Sequence, residues 1–323
     1  MSELPRPRGR YAPSPTGELH LGNASSALLA WLSIRARGGS FVMRMEDLDR
    51  YRVREGLAEQ ILEELAWLGI DWDEGPVIGG PCAPYEQWAR LDRYEIALSK
   101  LRESGRSYPC FCSRRDIANA ASAPQSPGDE IRYPGICRDL DPREAQSRID
   151  AGARHAWRFR VDGGARPSFE DLVHGLWGAK NQESPGDFVI SRADGVPAYQ
   201  LAVVVDDAEM GIGEVVRGDD LLASTGRQLL LYEALGWEPP RFGHVPLLLG
   251  AYGIRLSKRH QGVTLRELRE RGFSAEKLIG RLAALLGLRA KLEPVSAADL
   301  ADGFSLESMK PVPGGLVVDP SGW

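Results

Sequence analysis

The chain has 323 residues, of which 43% are hydrophobic and 26% charged, enough to bury a sizeable core in one large domain or two to three small ones. A net charge of -5 excludes a protein that coats nucleic acid through bulk positive charge and leaves room only for a local basic groove. The longest apolar cluster, Leu201 to Val205, falls far short of the roughly 18 residues a membrane span needs, and Met1 to Arg10 lacks the apolar stretch of a signal peptide, so no membrane contact and a cytoplasmic location are expected.

Gly9 to Ala12 reads as a short strand, followed by the turn-rich Pro13-Ser14-Pro15-Thr16-Gly17 and an apolar helical pattern from about His20 to Arg37. A second strand fits Phe41 to Met45 and a helix fits Arg54 to Leu68. This strand–helix alternation predicts an α/β fold with a parallel sheet whose ligands sit at the carboxyl ends of its strands. After the helical stretch Tyr85 to Glu103 the texture changes: Cys110, Cys112 and Cys137 cluster, and Ala118 to Gly128 has the Ala, Ser and Pro content of a mobile loop. Apolar runs at Phe188 to Ile190, Tyr199 to Val205 and Val245 to Leu249 read as the sheet resuming after an insertion, with a helix about Ser224 to Leu235 between the last two. Short helices are expected at Thr264 to Arg271 and Ala275 to Leu286, and no internal repeat is visible. The expected division is therefore a first α/β half over 1–88, an inserted domain over 89–190, a second half over 191–250, and a basic loop with a helical region over 251–323.

Three constellations carry chemistry. In the segment from Pro13 to Asn23, prolines stiffen a loop, glycines let a ligand approach the backbone, and His20 and Asn23 share a face of the first helical turn, where Gly22 and its neighbours offer amides to ATP phosphates; a turn with a helix cap reads the same way. Far downstream, Arg255-Leu256-Ser257-Lys258-Arg259 is a basic loop between Gly253 and Gly262, either a phosphate-binding element or a solvated turn. Cysteines that cluster in a chain without secretion signals read as metal ligands before disulfides, so Cys110, Cys112 and Cys137 either bind metal or merely pack, and Cys82 is a free thiol.

Taken as a pair, the first two resemble the HIGH and KMSKS signatures of class I aminoacyl-tRNA synthetases, with Asn23 in place of the final His and Arg255-Leu256 in place of Lys-Met. The glutamyl branch is the nearest in pattern: Arg10-Tyr-Ala-Pro-Ser-Pro-Thr-Gly-Glu-Leu-His20, Arg44-Met-Glu46-Asp47, Ala198-Tyr199 through Asp206-Asp207, and Val216-Arg217-Gly-Asp-Asp-Leu resemble its motifs in order. That resemblance implies a Rossmann-like catalytic body with an inserted zinc-bearing acceptor-type domain and a C-terminal helical stem-contact region. It implies a glutamate pocket of Arg10, Tyr11, Ala12, Pro13, Ser14, Glu46, Tyr199 and Arg217, with cationic forks for the two carboxylates and Glu46 for the ammonium. Tyr199 also reads as a core aromatic on an apolar strand, and Arg217 taken alone could equally be a surface partner of Glu214. His20, Gly22, Asn23 and Lys258 would hold ATP with its Mg2+, His20 and Lys258 being the catalytic pair. Cys110, Cys112, Tyr133 and Cys137 would hold one structural zinc per chain.

Only the stretch from His260 to Trp323 follows the basic loop, which suits the stem-contact region and not a further anticodon-binding domain. The expectation is a short paralogue of the glutamyl branch that activates L-glutamate and places it on queuosine in the anticodon stem-loop of tRNA(Asp). A truncated glutamyl-tRNA synthetase charging a tRNA 3′ end, and a non-catalytic RNA-binding paralogue, are the alternatives.

Overall fold

The computed structural model describes residues 7–120, 132–178, 184–250, 263–319 and 323, so the basic loop with Arg255 and Lys258 lies outside the described residues. The chain opens with β1 (Arg8–Tyr11), α1 (Leu21–Arg35), β2 (Ser40–Met43), α2 (Leu57–Trp67) and α3 (Leu91–Glu103), close to the elements read from the pattern. Strands β1 and β2 pair in parallel, Arg10 opposite Val42, and α1 packs across them. The packing is tight enough that a Cβ on Gly9 would come within 2.4 Å of Ile34, which is why a glycine sits in mid-strand.

Next come β3 (Ser107–Cys110), α4 (Arg114–Ala120), α5 (Pro142–Asp150), β4 (Ala156–Phe159), β5 (Phe169–Asp171), β6 (Gly175–Trp177) and β7 (Phe188–Ser191). The antiparallel sheet β3-β4-β7 forms the framework of the insertion. The main sheet runs β2-β1-β8-β9-β5-β6, with β8 (Glu214–Gly218) and β9 (Arg241–Val245) parallel to β1 and flanked by α6 (Tyr199–Glu209) and α7 (Leu222–Leu235). The chain closes with β10 (Leu248–Leu249), α8 (Leu265–Glu270), α9 (Ala275–Leu285), α10 (Ala297–Ala301) and β11 (Leu316–Val317), β10 pairing with β11.

Several expectations change. The run Tyr199 to Val205 is not a strand of the sheet but the first two turns of α6. Every residue from Leu201 to Asp207 is buried, so the run shows no alternation, and a helix enclosed on all sides overrides the strand preference of three successive valines. Phe188 to Ile190 is a strand, but it belongs to the antiparallel sheet of the insertion. Conversely β5 and β6, inside the 89–190 span, pair with the main sheet through Asp171 opposite Phe242. The Ala, Ser and Pro-rich segment begins as helix α4, its remainder at 121–131 lying outside the described residues.

Candidate active site and cysteine cluster

Three strand ends meet where β1 is flanked by β2 on one side and β8 on the other, a switch point of an open α/β sheet. Beyond β1 and β2 the two chains stay paired, Arg44 N–H donating to Tyr11 O at 3.0 Å and Glu46 N–H to Pro13 O at 2.9 Å, which carries Glu46 to the loop containing Ser14. Arg10, 5% exposed, places Nε and Nη2 each 3.2 Å from the two oxygens of Asp207 on α6. Arg44 is fully enclosed and donates to Asp207 Oδ1 at 2.7 Å and Glu46 Oε1 at 3.1 Å. Asp206 next to it receives Arg90 Nε at 2.7 Å and the Tyr94 hydroxyl. Burial raises Asp207, but Arg10 and Arg44 outweigh it and hold the carboxyl below its ordinary range. For Glu46 burial wins over Arg44 and Arg10 and pushes its pKa up, the state of a carboxylate that gains from a further cation such as an ammonium.

Across the pocket stands Arg217, on β8 and 6% exposed. Its pairing with Glu214 does not occur, since Glu214 binds Ser33 and Arg37 instead. The Arg217 Nη1 lies 3.5 Å from the hydroxyl of Tyr199, which opens α6 and is 38% exposed, so Tyr199 is neither on a strand nor in the core. The charges of Arg217, Glu46, Arg10 and Asp207 all bear on Tyr199, which groups Tyr199, Arg217, Glu46 and Arg10, four of the side chains expected for a glutamate pocket, in one region. Arg10 is not an open fork, however: Asp207 occupies its Nε and Nη2, leaving Nη1 for a ligand.

His20 caps α1. Its Nδ1 accepts from Gly22 N–H at 3.1 Å, so the ring proton sits on Nε2, while Asn23 Oδ1 accepts from His20 N–H at 3.1 Å. A side chain on Gly22 would press within 3.0 Å of the His20 ring, which explains the glycine. Asn23 thus serves the cap, and its carbonyl receives the Tyr11 hydroxyl at 3.3 Å. Ala12 and Pro13 line the turn, and Ser14 is exposed with its carbonyl closing the turn onto Thr16 N–H. Thr264, the cap of α8, bridges to His20, so the chain that follows segment 251–262 joins the loop leading into α1 directly.

In the insertion, the sulfurs of Cys110, Cys112 and Cys137 lie within 4.8 Å of one another. The Tyr133 oxygen is 3.4 Å from Cys110 Sγ and 3.6 Å from Cys112 Sγ, and Cys112 Sγ is 3.5 Å from Cys137 Sγ. A tetrahedral zinc with sulfur at about 2.3 Å has ligand-to-ligand edges of about 3.8 Å, so three soft donors and a phenol at this spacing fit that ion. Burial raises Cys110, yet the Tyr133 hydroxyl and the Arg158 guanidinium hold it low, whereas burial and the neighbouring thiols push Cys112 up to about 12. Between this cluster and the pocket lies a cavity of about 510 Å³ with Tyr133 and Arg158 on one wall and Tyr199, Gln200 and Arg227 on the other.

A family model described as the catalytic domain of class I tRNA synthetases (E and Q) matches residues 7–308. The chain belongs to this family. As a class I synthetase it is similar to the glutamyl-Q tRNA(Asp) synthetase of Symbiobacterium thermophilum, 52% identical over 92% of each chain, and to that of Nitratidesulfovibrio vulgaris, 49% identical over 90% of each. A glutamate–tRNA ligase of Syntrophus aciditrophicus is 44% identical, matching 94% of this synthetase but 62% of its own length. The crystal structure of a glutamate tRNA ligase from Elizabethkingia meningosepticum in complex with its amino acid superposes with a TM-score of 0.84 at 30% identity, covering 98% of this chain and 68% of that one. The synthetase site also contains side chains to which the sequence assigned no role. Asp206 and Asp207 stand inside one of the family-like motifs, and Asp171, Thr225, Gln228 and His244 had no sequence signal at all.

Proposed function

We propose that the protein activates L-glutamate with ATP and transfers the glutamyl group to queuosine in the anticodon loop of tRNA(Asp). The observation that carries the glutamate half is that Arg217 Nη1 lies 3.5 Å from the Tyr199 hydroxyl while Arg10, Glu46 and Asp207 bear on the same group, so cationic and anionic groups gather as a ligand with two carboxylates and an ammonium requires. Glu46 takes the ammonium, Arg217 one carboxylate, Arg10 through Nη1 with Ser14 the other. The α-carboxylate attacks the α-phosphorus of ATP and pyrophosphate leaves; a ring hydroxyl of the modified base then attacks the activated carbonyl and AMP leaves. Alignment and charge neutralisation do this work without a covalent nucleophile. His20, with its proton on Nε2, donates to a phosphate, Gly22 lets the chain come close, and Lys258 in the undescribed loop neutralises the triphosphate together with the substrate's Mg2+.

Similarity to two glutamyl-Q tRNA(Asp) synthetases over nine-tenths of both lengths supports the queuosine acceptor. The cavity between the insertion and the pocket offers an RNA loop a way in, and a single zinc on Cys110, Cys112, Cys137 and Tyr133 keeps its outer wall in place. In this reading residues near 1–88 and 191–250 form the catalytic body, 89–190 the insertion apart from the β5–β6 pair, and 251–323 the basic loop and stem-contact region.

The test charges tRNA(Asp) with labelled glutamate, cleaves it with a nuclease and locates the label. Label on the anticodon fragment, and only in tRNA that carries queuosine, is expected. Label on the 3′-terminal adenosine overturns the acceptor in favour of a glutamyl-tRNA synthetase, and no glutamate-dependent pyrophosphate exchange at all overturns the activation in favour of an RNA-binding protein.

A further inference from the structure

Buried arginines in this protein are of two kinds. Arg44 and Arg10 meet carboxylates, which cancel their charge. Arg217 is buried as deeply but meets only neutral groups: Nε donates to His244 Nε2 at 3.1 Å, and Nη2 to Thr225 Oγ1 and Gln228 Oε1, each at 2.8 Å. Three of its five N–H bonds are fixed on the side away from Tyr199, which leaves Nη1 beside Tyr199. The nearest carboxylate behind it, Asp171, stands one residue further back, its Oδ2 2.6 Å from His244 Nδ1. His244 and Asp171 are both sealed from solvent.

These contacts allow one proton arrangement. The His244 Nε2 faces a donor and must be the acceptor, so the ring is neutral and its proton sits on Nδ1, donated to Asp171. Asp171 cannot turn away, because its Oδ1 also accepts the backbone N–H groups of Val173 and His174. The imidazole therefore separates Asp171 from Arg217 while orienting both. A carboxylate in direct contact would form an ion pair and consume the charge; a cationic ring would repel the guanidinium.

We infer that Asp171 and His244 are positioning residues that hold Arg217 as an uncompensated cation with Nη1 turned to the pocket, and so set the affinity for one carboxylate of the amino-acid substrate. This rests on the glutamate-pocket reading of Arg217. Burial keeps His244 neutral, down at about 4 against the pull of Asp171, and it lowers Arg217 against the weaker pull of Asp207 and Glu46, with no direct ion pair to offset it.

Glutamate-dependent pyrophosphate exchange tests this on the full chain. Loss of a hydrogen bond to a charged group is expected to raise the KM for glutamate by about tenfold to a hundredfold in His244→Leu. The KM for ATP should stay within about twofold, because the relay stands behind the amino-acid contact alone. Asp171→Asn should act alike: with Oδ1 held by two backbone donors, its amide turns to His244 Nδ1, drives the ring proton to Nε2 and faces it at Arg217. His244→Gln restores an acceptor for Arg217 and a donor for Asp171, so its KM for glutamate should return to within about threefold of the parent. Unchanged glutamate KM in folded Asp171→Asn, or glutamate and ATP KM rising together in both variants, overturns the relay; should His244→Leu not fold, Asp171→Asn decides alone. Arg217→Ala separates the two levels, since an unchanged glutamate KM there removes the pocket reading itself.

Discussion

Around α1, the side chains of Leu28, Leu29, Leu32 and Ile34 join those of β1, β2 and α9 in one continuous apolar core, whereas at the cysteine end of the insertion the buried cluster consists of Tyr108, Cys110, Tyr133 and Cys137. The body of the protein is held by apolar burial. The cysteine lobe replaces burial with arginines laid on aromatic rings: Arg158 over Tyr133 at 3.8 Å, Arg160 over Tyr108 at 4.9 Å and Arg148 over Phe111 at 5.4 Å. Each such stack contributes about 0.5–2 kcal/mol, too little to order a segment whose backbone entropy costs about 1–2 kcal/mol per residue. Two regions of one chain thus reach order by different routes, and the second has a place for a metal where the first has leucines.

The largest expected effect follows from withholding the zinc that this place is proposed to hold. Binding of structural zinc in small domains is worth about 10–16 kcal/mol. Chelation, or Cys112→Ser, should therefore speed amide exchange by orders of magnitude at Cys110, Cys137 and their neighbours while the amides of β1, β2 and α1 keep their protection. Protection that persists throughout the lobe in metal-free protein would erase the contrast. Next in size, Asp207→Ala strands Arg10 and Arg44 in the body without their shared carboxylate, and loss of one partner from a buried ion pair costs about 3–5 kcal/mol. Urea unfolding should show that loss while zinc content stays at the parental value; a loss under about 1 kcal/mol would mean that water reaches the pair.

The smallest effect is the response of the body to acid through His244. Its folded pKa of about 4 lies below the ordinary 6.5, so the stability it carries is complete above pH 6.5. Between pH 6.5 and about 4 the unfolded chain takes up a proton that the folded one refuses, and about 3 kcal/mol is lost. Asp171, Arg217 and His174 are the charged or titratable groups bearing on the ring, and Asp171, held low itself, adds its own loss only below the usual carboxylate range. Denaturation from pH 7 to 4 should show this slope in the parent and a flatter one in His244→Gln; parallel slopes would dismiss the assignment.

Much of this was legible in the sequence, for local reasons. Strand β1, helix α1 and the cap at His20 follow from short-range pattern, and Arg10, Glu46, Tyr199 and Arg217 could be nominated because each sits in a motif. Helix α6 was misread because a run of valines buried on every side has no period to detect. The relay behind Arg217 was invisible for another reason. His244 and Asp171 lie 73 residues apart and meet only because β5 crosses into the main sheet beside β9, a pairing that leaves no trace in either segment alone. Asp207 was seen and its task was not, since an acid that neutralises arginines from β1 and from the chain just after β2 is defined by the folded body.

The place of Asp206 and Asp207 on α6 also sets a schedule. Arg10 precedes its partner by 197 residues, Arg44 by 163 and Arg90 by 116, and β1 cannot gain its second neighbour until β8 exists. On a ribosome adding about 5–20 residues per second, the first of these arginines waits roughly 10–40 s for its carboxylate. Through that interval the nascent chain carries three arginines without the acids that will enclose them and a β1 edge without its partner. The centre of the catalytic sheet thus closes only once α6 brings the carboxylates and β8, directly after it, brings the second neighbour of β1.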